Sequence, residues 1–297
     1  MNIPNLKNNK WLAVTAGVTL TAAGALAPSA EAAQFKLNFD EGVNGSAVQK
    51  NADGTLVTTQ WVDWGLTNIS GVNDRTGKAA KLNLYNTKAT YNIDGRDKDD
   101  DLRTGSTWGT ASASTNALII QEEDWRNKRY FNDNNQWRAD DEAKGGTIDF
   151  DFAKAVSFNS FSLIDIDDNG GGIGVGGYDG AGNKILDIDI DALMAKHIQV
   201  NGQNEAAAQG TSVSIGNVTM TQVGNERGNN SYFKFDVTDA YLNEVRFSYP
   251  GSGAISSVEW GMKDETQEIP EPSAIGGLLV LGLIGGRKRL NRKAVSA

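Results

Sequence analysis

The chain contains no cysteine and a single histidine, His197. Without cysteine there is neither a disulfide nor thiol chemistry, so stability must come from the core or from bound metal. One histidine excludes an H-E-x-x-H zinc site, and with no G-x-S-x-G beside it a Ser-His-Asp triad has no support. His197 therefore reads as an ordinary surface or turn residue. Basic charge is scarce once residues 1–32 and 271–297 are set apart, since together these hold seven basic and two acidic residues. That leaves 21 basic against 35 acidic residues in 33–270, a net charge of about −14. Such a charge opposes phosphate backbones and anionic lipid faces, which removes nucleic-acid binding, and it suits cations or neutral sugars. Convincing long helical periods are absent too.

What is present starts with Lys7 and Lys10, followed by an apolar stretch from Trp11 to Ala27 and small residues at Ala30-Glu31-Ala32. A charged region, an apolar region and an A-x-A site make a secretion signal, cut by signal peptidase between Ala32 and Ala33. The alternative is an uncleaved membrane anchor, against which Pro28 and the cleavage pattern both speak. At the other end Ile269-Pro270-Glu271-Pro272-Ser273 precede 13 apolar residues, 274–286, and then Arg287, Lys288, Arg289, Arg292 and Lys293. The basic cluster is held on the cytoplasmic side by the positive-inside effect. At about 1.5 Å per residue the apolar run spans roughly 20 Å, short of the roughly 30 Å hydrocarbon core. It suits transient membrane insertion better than permanent anchoring.

Ile269 to Lys293 resemble the PEP-CTERM sorting signal of bacteria that make extracellular polysaccharide. The resemblance implies an exosortase-type processing enzyme as a partner, with Pro270, Glu271 and Pro272 as the sorting motif. It also implies export to the cell-envelope surface or extracellular matrix.

The text between the ends is long enough for one domain with a substantial core. The expected organisation is a signal helix at 1–32, a domain at 33–264, a linker at 265–273 and a short hydrophobic helix with its basic tail at 274–297. Period-two alternation recurs through the domain: Phe35/Leu37/Phe39, Ile148/Phe150/Phe152, Leu186/Ile188/Ile190, Phe233/Phe235/Val237 and Val245/Phe247/Tyr249. Each predicts a strand with one buried face. The apolar runs 117–120 and 161–166 predict strands covered on both faces, and Asp179-Gly180-Ala181-Gly182-Asn183 predicts a hairpin turn. The sum is an all-β, antiparallel β-sandwich of jelly-roll or galactose-binding-like type. Residues 94–104 and 121–146 break the pattern and read as loops.

Gly172-Ile173-Gly174-Val175-Gly176-Gly177 spells G-x-G-x-x-G, but turn residues follow where a dinucleotide site needs a helix, so it reads as a hairpin connection. Asp165-Ile166-Asp167-Asp168-Asn169-Gly170 opens like a calcium loop, whereas its twelfth position is Gly176 instead of Glu. Spacing of two puts Asp165 and Asp167 on one strand face. Hard oxygen ligands without His or Cys select calcium, completed by Asp99, Asp101 and Glu122. The alternative is a solvated acidic hairpin.

Five blocks, among them Asp99-Asp100-Asp101-Leu102, Leu163-Ile164-Asp165-Ile166-Asp167 and Gly251-Ser252-Gly253-Ala254-Ile255, resemble an uncharacterised family of secreted bacterial domains. Membership implies a carbohydrate-binding-like sandwich and no known activity. Trp125, Tyr130 and Trp137 stand in the charged loop and are the candidates for stacking on sugar rings, while Trp61, Trp64, Trp108 and Trp260 read equally as core. The leading expectation is a non-catalytic module for extracellular polysaccharide. A polysaccharide-active enzyme such as a glycosidase, and a purely structural envelope protein, are the competitors.

Overall fold

The computed structural model describes residues 33–40, 54–57, 59–88, 102–104, 115–122, 139–166, 171–202, 209–224 and 231–262, and alternating apolar side chains hold more than half of these extended. In order these form β1 (Gln34–Leu37), β2 (Leu66–Asn73), β3 (Lys78–Ala79), β4 (Leu82–Asn86), β5 (Asn116–Ile120) and β6 (Gly146–Ile164). There follow β7 (Gly174–Tyr178), β8 (Lys184–Asp189), helix α1 (Ile190–Asn201), β9 (Ser212–Ile215), β10 (Val218–Gln222), β11 (Tyr232–Val237), β12 (Tyr241–Tyr249) and β13 (Ala254–Met262). All pairings between these strands are antiparallel. Among the described residues no helix is long and apolar enough to cross a membrane. The two apolar terminal segments lie outside them.

β6 organises the rest. Its first half, Gly146 to Phe152, lies between β2 and β12, and β12 carries β7 and β8 beyond it. From Val156 onward it lies against β13 on one side, and on the other β12 gives way after Ser157 to β11, which begins at Ser160; β13 continues to β5 and β4, and β11 to β10 and β9. The exchange of β2 for β13 falls at Ala153, Lys154 and Ala155, all exposed. Phe161 from the second half stacks on Phe235 at 4.6 Å between centroids and meets Phe247 of β12 edge-on at 5.3 Å. Phe247 in turn meets Phe150 edge-on at 5.6 Å, so both halves of β6 contribute to one apolar layer. A smaller cluster, including Tyr85, Ile119, Ile164, Tyr232 and Ala254, covers the opposite face of β5 and of the end of β6. This explains why residues 117–120 are apolar at every position and why Leu163 and Ile164 are apolar in succession.

Three local expectations change. Alternation stops at Ile188, because Asp189 caps α1, its Oδ1 accepting from Ala192 N at 2.9 Å, so Ile190 begins a helix. His197 lies on that helix and is fully buried, edge-on to Phe233 and hydrogen-bonded to Thr211 Oγ1 at 2.9 Å. Isolated polarity in an otherwise short helix hid its inward position. The glycine motif is strand β7 and not a connection. A Cβ on Gly177 would lie 2.7 Å from Leu242 and 2.9 Å from Leu186 Cβ, so the glycine is required for close packing. The hairpin that follows is as expected, with Asp179 Oδ1 accepting from Ala181 N and Asn183 N. Those bonds hold the Asp179 carboxyl below its ordinary pKa, the Asn183 side-chain bond contributing most. Trp61 and Trp260 are core residues and Trp64 packs partly against them.

Gly177→Ala is expected to destabilise the domain by about 1–3 kcal/mol through overpacking, read as a lower urea midpoint; an unchanged midpoint would show that Leu242 and Leu186 can yield.

Candidate functional site

On the face of β13, β6 and β11 that points away from the main core, the central strands carry small hydroxyl residues where the flanking strands carry long charged ones. The register places Lys36 of β1 opposite Glu259 of β13, Glu259 opposite Ser160 of β6, and Ser160 opposite Asp236 of β11. In the neighbouring row Ser257 faces Ser162, which faces Lys234. The ladder skips Ser256 between Ile255 and Ser257, a bulge that brings two successive serines to this surface. The result is a trough of about 440 Å³, lined also by Asn38, Asp40, Val223 and Tyr232. From β1 to β11 it crosses three strand spacings, about 14 Å, and Lys36 to Asp40 covers about 13 Å along the chain. Its volume falls within the range of about 300–1,000 Å³ common for small-ligand sites.

The electrostatics follow from this placement. Lys36 Nζ lies 2.7 Å from Glu259 Oε1, and Lys234 Nζ lies 2.6 Å from Asp236 Oδ1. Partial burial works to raise the Glu259 carboxyl. The hydrogen bond and charge of Lys36, with the charge of Lys234, outweigh it, so Glu259 stays below the ordinary carboxylate pKa. Lys234 is raised, chiefly by its bond to Asp236. Asp40 serves structure, its carboxylate accepting from the backbone of Thr115 and Asn116 at 2.8 Å each. On the floor, Ser162 and Ser257 are nine-tenths or more buried as residues, their hydroxyls open into the trough, and among the described residues these hydroxyls have no hydrogen-bond partner.

A second polar group gathers where β6 begins and ends. Asp165 adopts a left-handed backbone, φ 57°, just past the end of β6, so it leaves the strand face expected for it. It is fully buried, and its Oδ2 accepts from Ser252 Oγ at 2.9 Å. Asp141, also buried, accepts from the next residue, Gly253 N, at 3.1 Å. Nearby in sequence, the buried Glu142 accepts from Asn73 and Arg75, and Arg75 also reaches Glu122 Oε1 at 3.1 Å. Among the described residues no three acidic, histidine or cysteine side chains gather as metal ligands. Asp99, Asp101, Asp167, Trp125, Tyr130, Trp137, Pro270, Glu271, Pro272 and Ala32 lie outside the described residues. Ala33 is described, and its carbonyl accepts from Met262 N at 2.8 Å.

Sequence reasoning missed the trough residues. Their only trace is serine at outward positions of apolar strands, as in Ser160-Phe161-Ser162, and strand adjacency is needed to turn that trace into a floor.

Because Glu259 has a depressed pKa in the folded state, its contribution is present above the unfolded value of 4.5 and fades as the pH falls through the folded one. Glu259→Gln should cost less than about 1 kcal/mol at pH 7, given solvent screening, and progressively less as the pH falls below 4.5. Equal losses above and below that pH in urea titrations would contradict the ion-pair account. In comparison with known proteins, the chain matches no family model, no curated protein and no solved structure.

Proposed function

We propose that this is an exported cell-surface or matrix protein whose domain, a β-sandwich of jelly-roll or galactose-binding-like type, binds extracellular polysaccharide without cleaving it. The observation that carries the binding part is the trough: a ligand-sized, polar surface built on rigid strands, with serine hydroxyls opening into it from its floor. Trp125, Tyr130 and Trp137 are the aromatic side chains proposed to stack on sugar rings. Signal peptidase and an exosortase-type enzyme process the two ends, the latter at the Pro270-Glu271-Pro272 motif. Met262 N bonds to the carbonyl of Ala33, so both processed segments join the domain at neighbouring points, an arrangement that suits tethering and release at one surface.

The non-catalytic reading draws support from the acids. A glycosidase needs one carboxyl that keeps its proton near neutral pH. In the trough Glu259 is shifted the opposite way. Glu244 is raised, chiefly by burial and then by Asp149 and Asp151, with Arg246 opposing, but it stands on β12 among those acids and not in the trough. Calcium is the proposed ion. Asp141 and Asp165 concentrate two buried carboxylates on the Ser252-Gly253 turn, and Asp167 follows two residues on, with Asp99, Asp101 and Glu122 as the further ligands in the proposal.

Two measurements test this. The full chain should be retarded in gels containing polysaccharide without releasing reducing ends, and Ser162→Leu, which fills the trough floor, should abolish retardation while circular dichroism stays unchanged. Release of sugar would favour the enzyme, and no retardation by any polysaccharide would favour a structural envelope protein. Millimolar calcium should raise the melting midpoint, equivalent to about 2.7 kcal/mol at a hundredfold excess over Kd, and Asp165→Asn should remove that response. A midpoint indifferent to both calcium and chelator would leave Asp141 and Asp165 as turn-holding residues only.

A further inference from the structure

We infer that the trough selects a neutral glycan, one that presents vicinal hydroxyls to Glu259, and discriminates against uronate, sulfate or phosphate-bearing chains. This rests on the binding function proposed above and adds the chemistry of the ligand. The floor gives the first argument. Ser162 and Ser257 have hydroxyls that both donate and accept, and neither is used within the protein. A sugar hydroxyl can meet both roles at once, whereas a carboxylate, sulfate or phosphate group placed there can only accept.

The rims give the second. Glu259 has one oxygen held by Lys36 Nζ and offers its other oxygen as an acceptor, while Lys36 and Asn38 offer donors alongside. A carboxylate flanked by an ammonium and an amide matches two adjacent hydroxyls, each of which gives one bond and takes one. An anionic sugar would meet Glu259 and Asp236 as like charges. To reach a cation it would have to part Lys36 from Glu259 or Lys234 from Asp236. Either step gives up an existing ion pair, so the new contact only replaces one attraction with another and brings no net gain in ion pairing. The net charge of about −14 on the domain repels polyanions before they arrive.

The experiment compares the full-length chain, wild type and variants, on neutral glucomannan and dextran and on anionic alginate and polygalacturonate, by affinity electrophoresis at 0.15 M salt and calorimetry with the corresponding hexasaccharides. Retention by at least one neutral glycan and none of the anionic ones is expected. Glu259→Gln, which keeps the shape, should weaken that binding at least tenfold while the melting midpoint moves little. If anionic chains bind as tightly or more tightly, and binding is lost in Lys36→Ala or Lys234→Ala but survives Glu259→Gln, the selectivity is overturned while the carbohydrate function stands. If neither class binds, the carbohydrate function itself fails. Neutral binding that is indifferent to Glu259→Gln and to Ser162→Leu would place the sugar elsewhere and overturn the inference.

Discussion

Strand β6 cannot complete its hydrogen bonds with a single pair of neighbours, and the architecture follows from that. A strand of 19 residues exceeds the ordinary length of about 3–10, so its two halves recruit different flanking strands, β2 and β12 first, β13 and β11 later. Ala153, Lys154 and Ala155 sit at the exchange, where the core makes no demand for apolar side chains. Because both halves send phenylalanines into one layer, the change of partners must also turn the sheet around that layer. The register irregularities beside β6, between Leu242 and Glu244 and between Glu259 and Trp260, adjust its neighbours to the turn.

The trough is a consequence of the same constraint. Four strands, β1, β13, β6 and β11, lie side by side at the second half of β6, and apart from Glu259 of β13 the outward positions of the two in the middle that line the trough are serines. Longer side chains there would fill the surface; larger apolar ones would extend the small cluster of Tyr232, Ile164 and Ala254 across it. The charged residues instead stand on the rims, where Lys36 and Lys234 keep solvent contact and find acids. A groove walled by ion pairs and floored by hydroxyls resists collapse, since closing it would bury charges at greater cost than the apolar area gained.

How legible this was depended on range. Strands whose alternation is local, such as Phe233/Phe235/Val237 and Val245/Phe247/Tyr249, were readable because period two needs no knowledge of the partner. The doubly apolar runs at β5 and the end of β6 were readable for the same reason, and the antiparallel all-β class followed. Helix α1 was not, since only its capping residue Asp189 separates it from the alternation before it. His197 was missed with it, because a polar residue shows its burial only through partners such as Phe233 and Thr211 that come from other elements. Asp165 and Asp167 were paired by strand geometry that ends one residue too early, at Ile164. The trough depends on Lys36, Ser162 and Glu259, residues from three strands far apart in sequence, and no local rule unites them.

The same range dependence bears on how the trough is completed. Its β1 rim is a four-residue strand held through β13 alone, with Gln34 opposite Gly261 and Leu37 opposite Val258. Bringing these ends together closes a loop of more than two hundred residues. Loop-closure entropy grows slowly with length, so the cost is affordable, but a contact of this range has to wait for the intervening chain to order. Phe35 then locks the strand from the core side by stacking on Trp260 at 5.7 Å and packing near Trp64 at 6.3 Å. Lys36, the next residue, reaches Glu259 on the other face. The inward aromatic and the outward cation are therefore set by one pairing event. On the proposed reading that pairing begins at the residue that signal removal leaves at the amino terminus, so the trough gains its second rim only when the two ends of the domain have met.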